Sequence, residues 1–338
     1  MKDADLEHLD NSLQNSIDKY YESKEETPRL YLGGSEIGHW CPRHLWYSWR
    51  HALTERHSGR KLRLFQRGYD EEMRVIVWLF NVGYNITCCG DDQLELERHH
   101  IKGHPDGVIN EEMILEIKTC DLASFRKYIS KNPKYEPHFI HNEVSADVLQ
   151  SSRLLQRAPQ HWIQCQIYMG MSGYHKCLYV RVCKDNDFIA SEVVEFDESV
   201  FNALMVYADA LSKMSKAPPP PVAHPEKFYK CKMCQCQAIC TKKEPAPNVH
   251  CRTCSHASFD KDWRCALHPK RPIPESFQLT GCESHTLMPD MVPWHNDRRD
   301  EVHPEKVWVI DGEPVRNGDS DAFTLSSKEI LEKHREHK

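Results

Sequence analysis

Between residues 103 and 119 the chain reads Gly-His-Pro-Asp-Gly-Val-Ile, breaks at 110–112, and resumes as Met-Ile-Leu-Glu-Ile-Lys-Thr. Two apolar runs across a polar break predict two β-strands joined by a tight turn. Asp106 falls on the first strand, and Glu116 and Lys118 on the second. Alternate residues of a strand share a face, so Glu116 and Lys118 project together while Ile117 points into a core. Carboxylates gathered in one place repel one another, and a hard cation such as Mg²⁺ supplies the compensating charge. A lysine beside that cation can steady an anionic transition state or orient an attacking water. The plain alternative is a surface hairpin with an ordinary ion pair.

Around this stretch the pattern is mixed α/β. Residues 1–30 are polar and predict a short helix or no fixed structure. Ser35 is placed to cap a short helix, and Pro42 to open the next in its first turn. Residues 61–84 have helical periodicity, with Leu64, Phe65, Met73, Ile76, Val77 and Phe80 as the apolar stripe and Gly83 as the stop. Glu72 lies one turn beyond Gly68, whose missing side chain would let this helix approach the sheet; the acidic run Asp70, Glu71 and Glu72 also reads as a solvated face. Residues 93–116 predict a three-stranded meander, with the Ile/Leu-rich Glu116 strand central. A short helix over 121–131 follows, then an irregular flap or disordered insertion over 132–156. Pro159 opens a helix over 160–171, ended by Gly173, on which Gln164 and Tyr168 share a face. Strands at 175–183 and 188–196 and a helix over 198–216 complete the core, and Pro218–Pro221 reads as a stiff closing linker.

At 338 residues the chain can bury a full core and divide into two domains, or one with an appendage. A net charge of -6 gives no global basic field, so any nucleic-acid surface must be a local patch. The acidic start lacks an apolar h-region and no long apolar run follows. Secretion and membrane insertion are therefore not expected, and the expected compartment is the cytosol.

Fifteen cysteines are many for such a chain. Clustered cysteines in a non-secreted protein point to metal rather than disulfides. Cys231, Cys234 and Cys240 follow C-x2-C-x5-C, one ligand short of the usual four thiolates. Cys41, among aromatics, reads by itself as a packed small hydrophobe. Cys251, Cys254, Cys265 and Cys282, with His256, His268 and His285 close by, suit a closed zinc knuckle or ribbon, although such thiolates can also hold iron. Beyond Pro289 the chain is polar, with a hairpin expected around 307–315 and a charged tail in which no chemistry is visible.

Pro105-Asp106 with Glu116-Ile117-Lys118 resembles the PD-(D/E)xK nuclease signature. Further elements align in order: Ser35 to Arg43 with its Cys41-Pro42-Arg43, Arg67-Gly68-x3-Glu72, Gln164-x3-Tyr168, and the Cys231, Cys234, Cys240 run. Together, over about residues 32–242, they resemble a RecB-family exonuclease domain. The likeness is nearest to CRISPR-associated RecB-like exonucleases and AddB-type nuclease domains with an iron–sulfur staple.

The resemblance implies a restriction-endonuclease-like α/β core: a polar segment 1–30, a nuclease domain 31–242, a cysteine-rich zinc-like module 243–290 outside the family core, and a polar tail 291–338. Asp106, Glu116, the Ile117 carbonyl and Glu72 would hold Mg²⁺ or Mn²⁺, with Lys118 positioning water. Gln164 and Tyr168 would orient the strand, and Arg43, Arg67 and Arg126 would contact phosphates. Cys41 would join Cys231, Cys234 and Cys240 on one [4Fe–4S] cluster, closing a loop of about two hundred residues. Glu72 stands where many relatives have His, and Cys236 is an extra thiol able to compete with Cys234. The implied activity is metal-dependent hydrolysis of DNA, as a single-strand exonuclease in recombination, repair or processing. A separate helicase or recombination partner and a bacterial or phage-infected cell go with it. The alternatives are a catalytically silent DNA-binding adaptor, a structure-specific endonuclease, or a cluster that senses redox state.

Overall fold

The computed structural model describes residues 12–24, 28–53, 57–131, 138–296, 306–310, 313–318 and 324–336. The chain forms two compact units, one of Met1–Arg29 with Glu55–Phe201, the other of Leu30–Thr54 with Asn202–Lys338.

The first unit is a mixed α/β core. Its elements are helices α1 (Ser12–Glu22) and α2 (Gly59–Asn81), strands β1 (Ile86–Thr87), β2 (Leu96–Arg98), β3 (Ile101–Gly103), β4 (Gly107–Ile109) and β5 (Met113–Cys120), helices α3 (Leu122–Ile129), α4 (Ala146–Ser151), α5 (Arg153–Arg157) and α6 (Pro159–Ser172), and strands β6 (Lys176–Cys183) and β7 (Ile189–Glu195). Five strands form one sheet in the order β1-β4-β5-β6-β7, with β5 central as its Ile/Leu content predicts. β5 and β6 run parallel, and the other pairs are antiparallel. Leu115 and Ile117 of β5 pack with Val180 and Val182 of β6 against Val75 and Ile76 of α2. Alternation then turns Glu116 and Lys118 to the opposite face. There Phe125 of α3 packs on Cys120 and Cys183. Gly173 ends α6 in the left-handed conformation, φ 81°, as its position predicts.

Several expectations fail here for identifiable reasons. The predicted meander breaks: β2 and β3 form a hairpin in a different sheet from β4 and β5, and Asp106 lies in the break, directly before β4. The apolar stripe assigned to α2 is wrong except at Ile76. Leu64, Phe65, Met73, Val77 and Phe80 are all exposed, while Glu71, Val75 and Ile76 are buried. Both sides of α2 carry apolar residues, so periodicity alone does not say which side meets the sheet. Gly68 does not serve a close approach, because a side chain there would meet nothing within 4 Å. The part of the expected flap that is described, from 138 onward, holds a 3₁₀ turn, α4 and α5, with Leu154 and Leu155 fully buried; residues 132–137 lie outside the described residues.

In the second unit, helix Pro42–Trp49 opens on Pro42 as predicted. The preceding short helix is capped by Gly33 rather than Ser35, which lies inside its first turn. Arg50 and Arg252 are buried among Trp46, Trp49 and Trp263. Their nitrogens are engaged by backbone carbonyls of residues 30, 49, 214 and 252 and by Gln278. The polyproline stretch is packed: Pro218 is buried and its carbonyl accepts from Arg43 at 3.0 Å. Nor is the C-terminal stretch a plain polar tail. Strands His295–Asn296, Lys306–Ile310 and Glu313–Asn317 form a sheet, and Trp308, Ile310 and Val315 share a core with Ile330 and Leu331 of helix Ser327–Glu336.

Candidate active site and metal centres

β4 and β5 meet at the turn predicted for 110–112, where Asn110 and Glu111 take the left-handed conformation (φ 49° and 57°) that tight hairpins demand. Closing this hairpin sets Asp106 beside Glu116. The Asp106 backbone N–H donates to the Leu115 carbonyl at 3.0 Å, and its Oδ2 accepts the Ile117 amide at 2.6 Å. Glu116 is completely buried and ion-paired with Lys118. Its Oε1 also accepts from Gln164 Nε2 at 2.7 Å, yet its Oε2 is buried with no hydrogen-bond partner. Ile117 faces the core with its side chain.

Burial raises the carboxyl groups gathered here. Burial, then Asp106, pushes Glu72 up to about 7, with Lys118 opposing. Burial pushes Glu116 up to about 8 against the pull of Lys118. Asp106 is raised by burial as well. Glu72, on α2, therefore feels the same charges as the β-strand pair, and the structure brings Glu72, Asp106, Glu116 and Lys118 together. An orphaned buried carboxylate oxygen among three acidic side chains is the donor set a hard divalent cation accepts, so the residues fit Mg²⁺ or Mn²⁺.

α6 supplies one wall. Gln164 is buried with its amide committed to Glu116, so it orients a carboxylate in this structure. Tyr168 is also buried, against the Gly103 backbone: a methyl group at residue 103 would lie 2.2 Å from Tyr168 Cε1. Three residues escaped the sequence reading. His161, three positions before Gln164, places Nδ1 2.8 Å from the Tyr179 hydroxyl. Tyr179 and Arg181 pair in register with Glu116 and Lys118. The i, i+3 spacing of His161 and Gln164 was a signal for the first; the other two depend on strand register. Of the expected phosphate ligands, Arg67 donates to the Lys184 carbonyl at 2.9 Å, Arg126 is exposed on α3, and Arg43 is committed to Tyr47 and Pro218.

In the second unit a cavity of about 20 Å³ is lined by Cys41, Cys231, Cys234, Cys236 and Cys240. The lone N-terminal cysteine thus meets the C-terminal run. Cys41 is pushed up to about 11 by burial. Cys234 is pulled down to about 4, first by a hydrogen bond from Cys236 and then, against burial, by His44; Cys236 is raised correspondingly. His44 Nδ1 lies 3.4 Å from both sulfurs, and the three ligand atoms fall within 4.8 Å of one another. Thiolate is the ligating form, and Cys41, Cys231 and Cys240 with one of Cys234 and Cys236 make up the four thiols that such a cluster needs.

A second cavity, of about 30 Å³, is lined by Cys251, Cys254, Cys265 and Cys282. The hairpin Ala257–Asp260/Asp262–Cys265 carries the third cysteine back towards the first two. Burial raises Cys251 to about 11, and Cys282, Cys254 and Cys265 add to the rise. His285 and His256 line the same cavity but are engaged by hydroxyls of Ser327, Thr253 and Thr286. His268 also lines the cavity but is exposed, and the four thiols are of the ligand type that structural zinc takes.

No family model and no curated protein matches the sequence. Among solved structures, an alkaline exonuclease (LHK-Exo) from Laribacter hongkongensis is 14% identical at TM-score 0.34, over 57% of this chain and 90% of that one. The same exonuclease in complex with dAMP gives 14% and 0.37, over 57% and 89%. A protein designated SSO0001 is 15% identical at TM-score 0.41, over 69% and 98%. Identities this low and TM-scores below 0.5 leave the function to the chemistry of the site. No helix among the described residues is long and apolar enough to cross a membrane.

Proposed function

We propose that the chain is a metal-dependent deoxyribonuclease of the PD-(D/E)xK kind, acting on single-stranded DNA ends. The observation that carries this reading is Glu116: fully buried, bound on one oxygen by Lys118 and Gln164, and orphaned on the other. An isolated acidic cluster on a surface would not keep a carboxylate in that state.

A bound Mg²⁺ or Mn²⁺ would neutralise the carboxylates and acidify an attacking water. Asp106, Glu116, Glu72 and the Ile117 carbonyl would hold it. Gln164 fixes the rotamer of Glu116, and Asp106 is locked by the Ile117 amide. Lys118, held beside Glu116 and partly open to solvent, would orient the water and offset charge on the pentacovalent phosphorus. Tyr168 shapes the wall and is too buried to stack on a base without moving.

In the second unit, Cys41, Cys231, Cys234 and Cys240 would hold a [4Fe–4S] cluster that ties distant chain segments together. Cys251, Cys254, Cys265 and Cys282 would hold structural zinc. Recombination, repair or DNA processing beside a separate helicase, in the cytoplasm, is the setting such an enzyme would serve.

The test is digestion of end-labelled linear single-stranded DNA with Mn²⁺ or Mg²⁺ by anaerobically purified protein. Metal-dependent shortening that is absent in Lys118→Ala supports the reading. No cleavage by cluster-loaded native protein moves it to a DNA-binding adaptor, and cleavage of circular single strands to an endonuclease.

A further inference from the structure

We infer that Arg181, with Lys118 beside it and His161 on the helix covering that face, forms a phosphate-binding subsite next to the carboxylates, for one phosphate of a nucleic-acid strand. Only the identity of that ligand rests on the nuclease reading. The unpartnered guanidinium nitrogens are a property of the fold.

Lys118 and Arg181 are register partners on adjacent parallel strands, so their side chains stand side by side on one face. Like charges in that relation destabilise a sheet unless each is compensated. Lys118 is compensated by Glu116. Arg181 is half-buried, donates through Nε to Cys120 Sγ at 3.2 Å, and lies 4.9 Å from the Tyr128 ring centroid. Among the described residues its two terminal nitrogens have no hydrogen-bond or ion-pair partner. The acidic residue on the next strand does not serve it: Glu192 accepts from Ser152 Oγ at 2.6 Å and from the Leu154 amide at 2.9 Å.

The contrast with Arg50 and Arg252 is direct. Those buried guanidinium groups are surrounded by carbonyl acceptors. Arg181 has a thiol and an aromatic face, neither of which offers its terminal nitrogens an oxygen acceptor. A planar fork of free N–H donors matches phosphate oxygens in geometry and charge. His161 adds a polar wall without a third charge. Burial first, then Lys118 and Arg181, lowers it to about 3, which keeps the ring neutral and places both cations near it. Its anchor, Tyr179, is the register partner of Glu116, so the subsite adjoins the carboxylate cluster.

The experiment measures binding without turnover. The full chain is titrated into short fluorescent single-stranded oligonucleotides in Ca²⁺, with 5′-phosphate or 5′-hydroxyl ends, over a salt series, and the DNA is checked to be intact. For Arg181→Met, Kd should rise about tenfold and the slope of log affinity against log salt should fall by about one phosphate contact. Loss confined to the phosphorylated oligonucleotide identifies a terminal phosphate as the ligand; equal loss on both identifies an internal phosphodiester. Arg181→Lys keeps the charge without the fork and should weaken binding severalfold, which serves if the Met variant does not fold. Unchanged Kd and slope in a variant with native Tm overturns the subsite, as does absence of DNA binding by the native protein. Failure of the native protein to cleave in Mn²⁺ would count against the nuclease reading and leave this result standing.

Discussion

Gln164 reaches Glu116 across 48 positions of sequence, its Nε2 donating to Oε1 at 2.7 Å. The carboxylate most in need of a fixed geometry is thus held by a neutral amide from a different element. Gln164→Leu leaves Glu116 with Lys118 alone. We expect Mn²⁺ affinity, read by calorimetry, and cleavage to fall by about 10–100-fold, the usual cost of losing such a supporting contact. An unchanged affinity would mean the amide only fills space.

The metal-free protein should lose stability as pH rises. Glu72 and Glu116 titrate near 7 and 8 when folded, above the usual carboxylate range, because burial disfavours their charged forms. A folded state that binds protons more tightly than the unfolded chain is favoured at low pH. The stabilisation is complete below about pH 4.5 and disappears as pH climbs through about 7 to 8. Tm in EDTA should therefore fall across that window, and saturating Mg²⁺ should abolish the fall. A flat Tm in EDTA would contradict the burial of these groups.

Cys234 and Cys236 should differ as ligands. A hydrogen bond from Cys236 lowers the Cys234 thiol and raises its own, while His44 Nδ1 lies 3.4 Å from both sulfurs. Cys234→Ser should lose the iron and the visible absorbance, as should Cys41→Ser, whereas Cys236→Ser should keep both. The reverse pattern would assign Cys236 to the cluster.

Native mass spectrometry should find one zinc per chain, lost on replacing Cys251, Cys254, Cys265 or Cys282 by Ser. Because metal binding and folding are linked, chelation should lower the Tm of the second unit by several degrees. Replacing His268, an exposed residue, should leave zinc in place.

Two glycines give opposite predictions. Gly103→Ala drives a methyl group into the buried Tyr168 ring and should cost about 1–3 kcal/mol. Gly68→Ala meets open space within a helix and should stabilise by about 0.5–1 kcal/mol. Urea denaturation midpoints separate the two.

The sequence by itself determined what depends on near neighbours in the chain. A two-residue strand period and a local turn are enough to put Asp106, Glu116 and Lys118 in one hairpin, and C-x2-C spacing marks candidate ligand pairs without any fold. Helix starts at Pro42 and Pro159 and the stop at Gly173 follow from fixed backbone preferences. Tertiary structure decided the rest. α2 has apolar residues on both sides, and only docking chose the side bearing Glu72, Val75 and Ile76, leaving the apolar positions of the other side in solvent. The partner of Gln164 and the pairing of Lys118 with Arg181 depend on register between segments dozens of residues apart, and side-chain type does not encode register at that range. Cys41 looked like a packed hydrophobe because nothing within its own neighbourhood needs a thiol; chain closure in the second unit brings it to the other cysteines. Local pattern fixes which residues share a face, whereas burial and charge balance, which are set by what that face meets, fix what those residues can do.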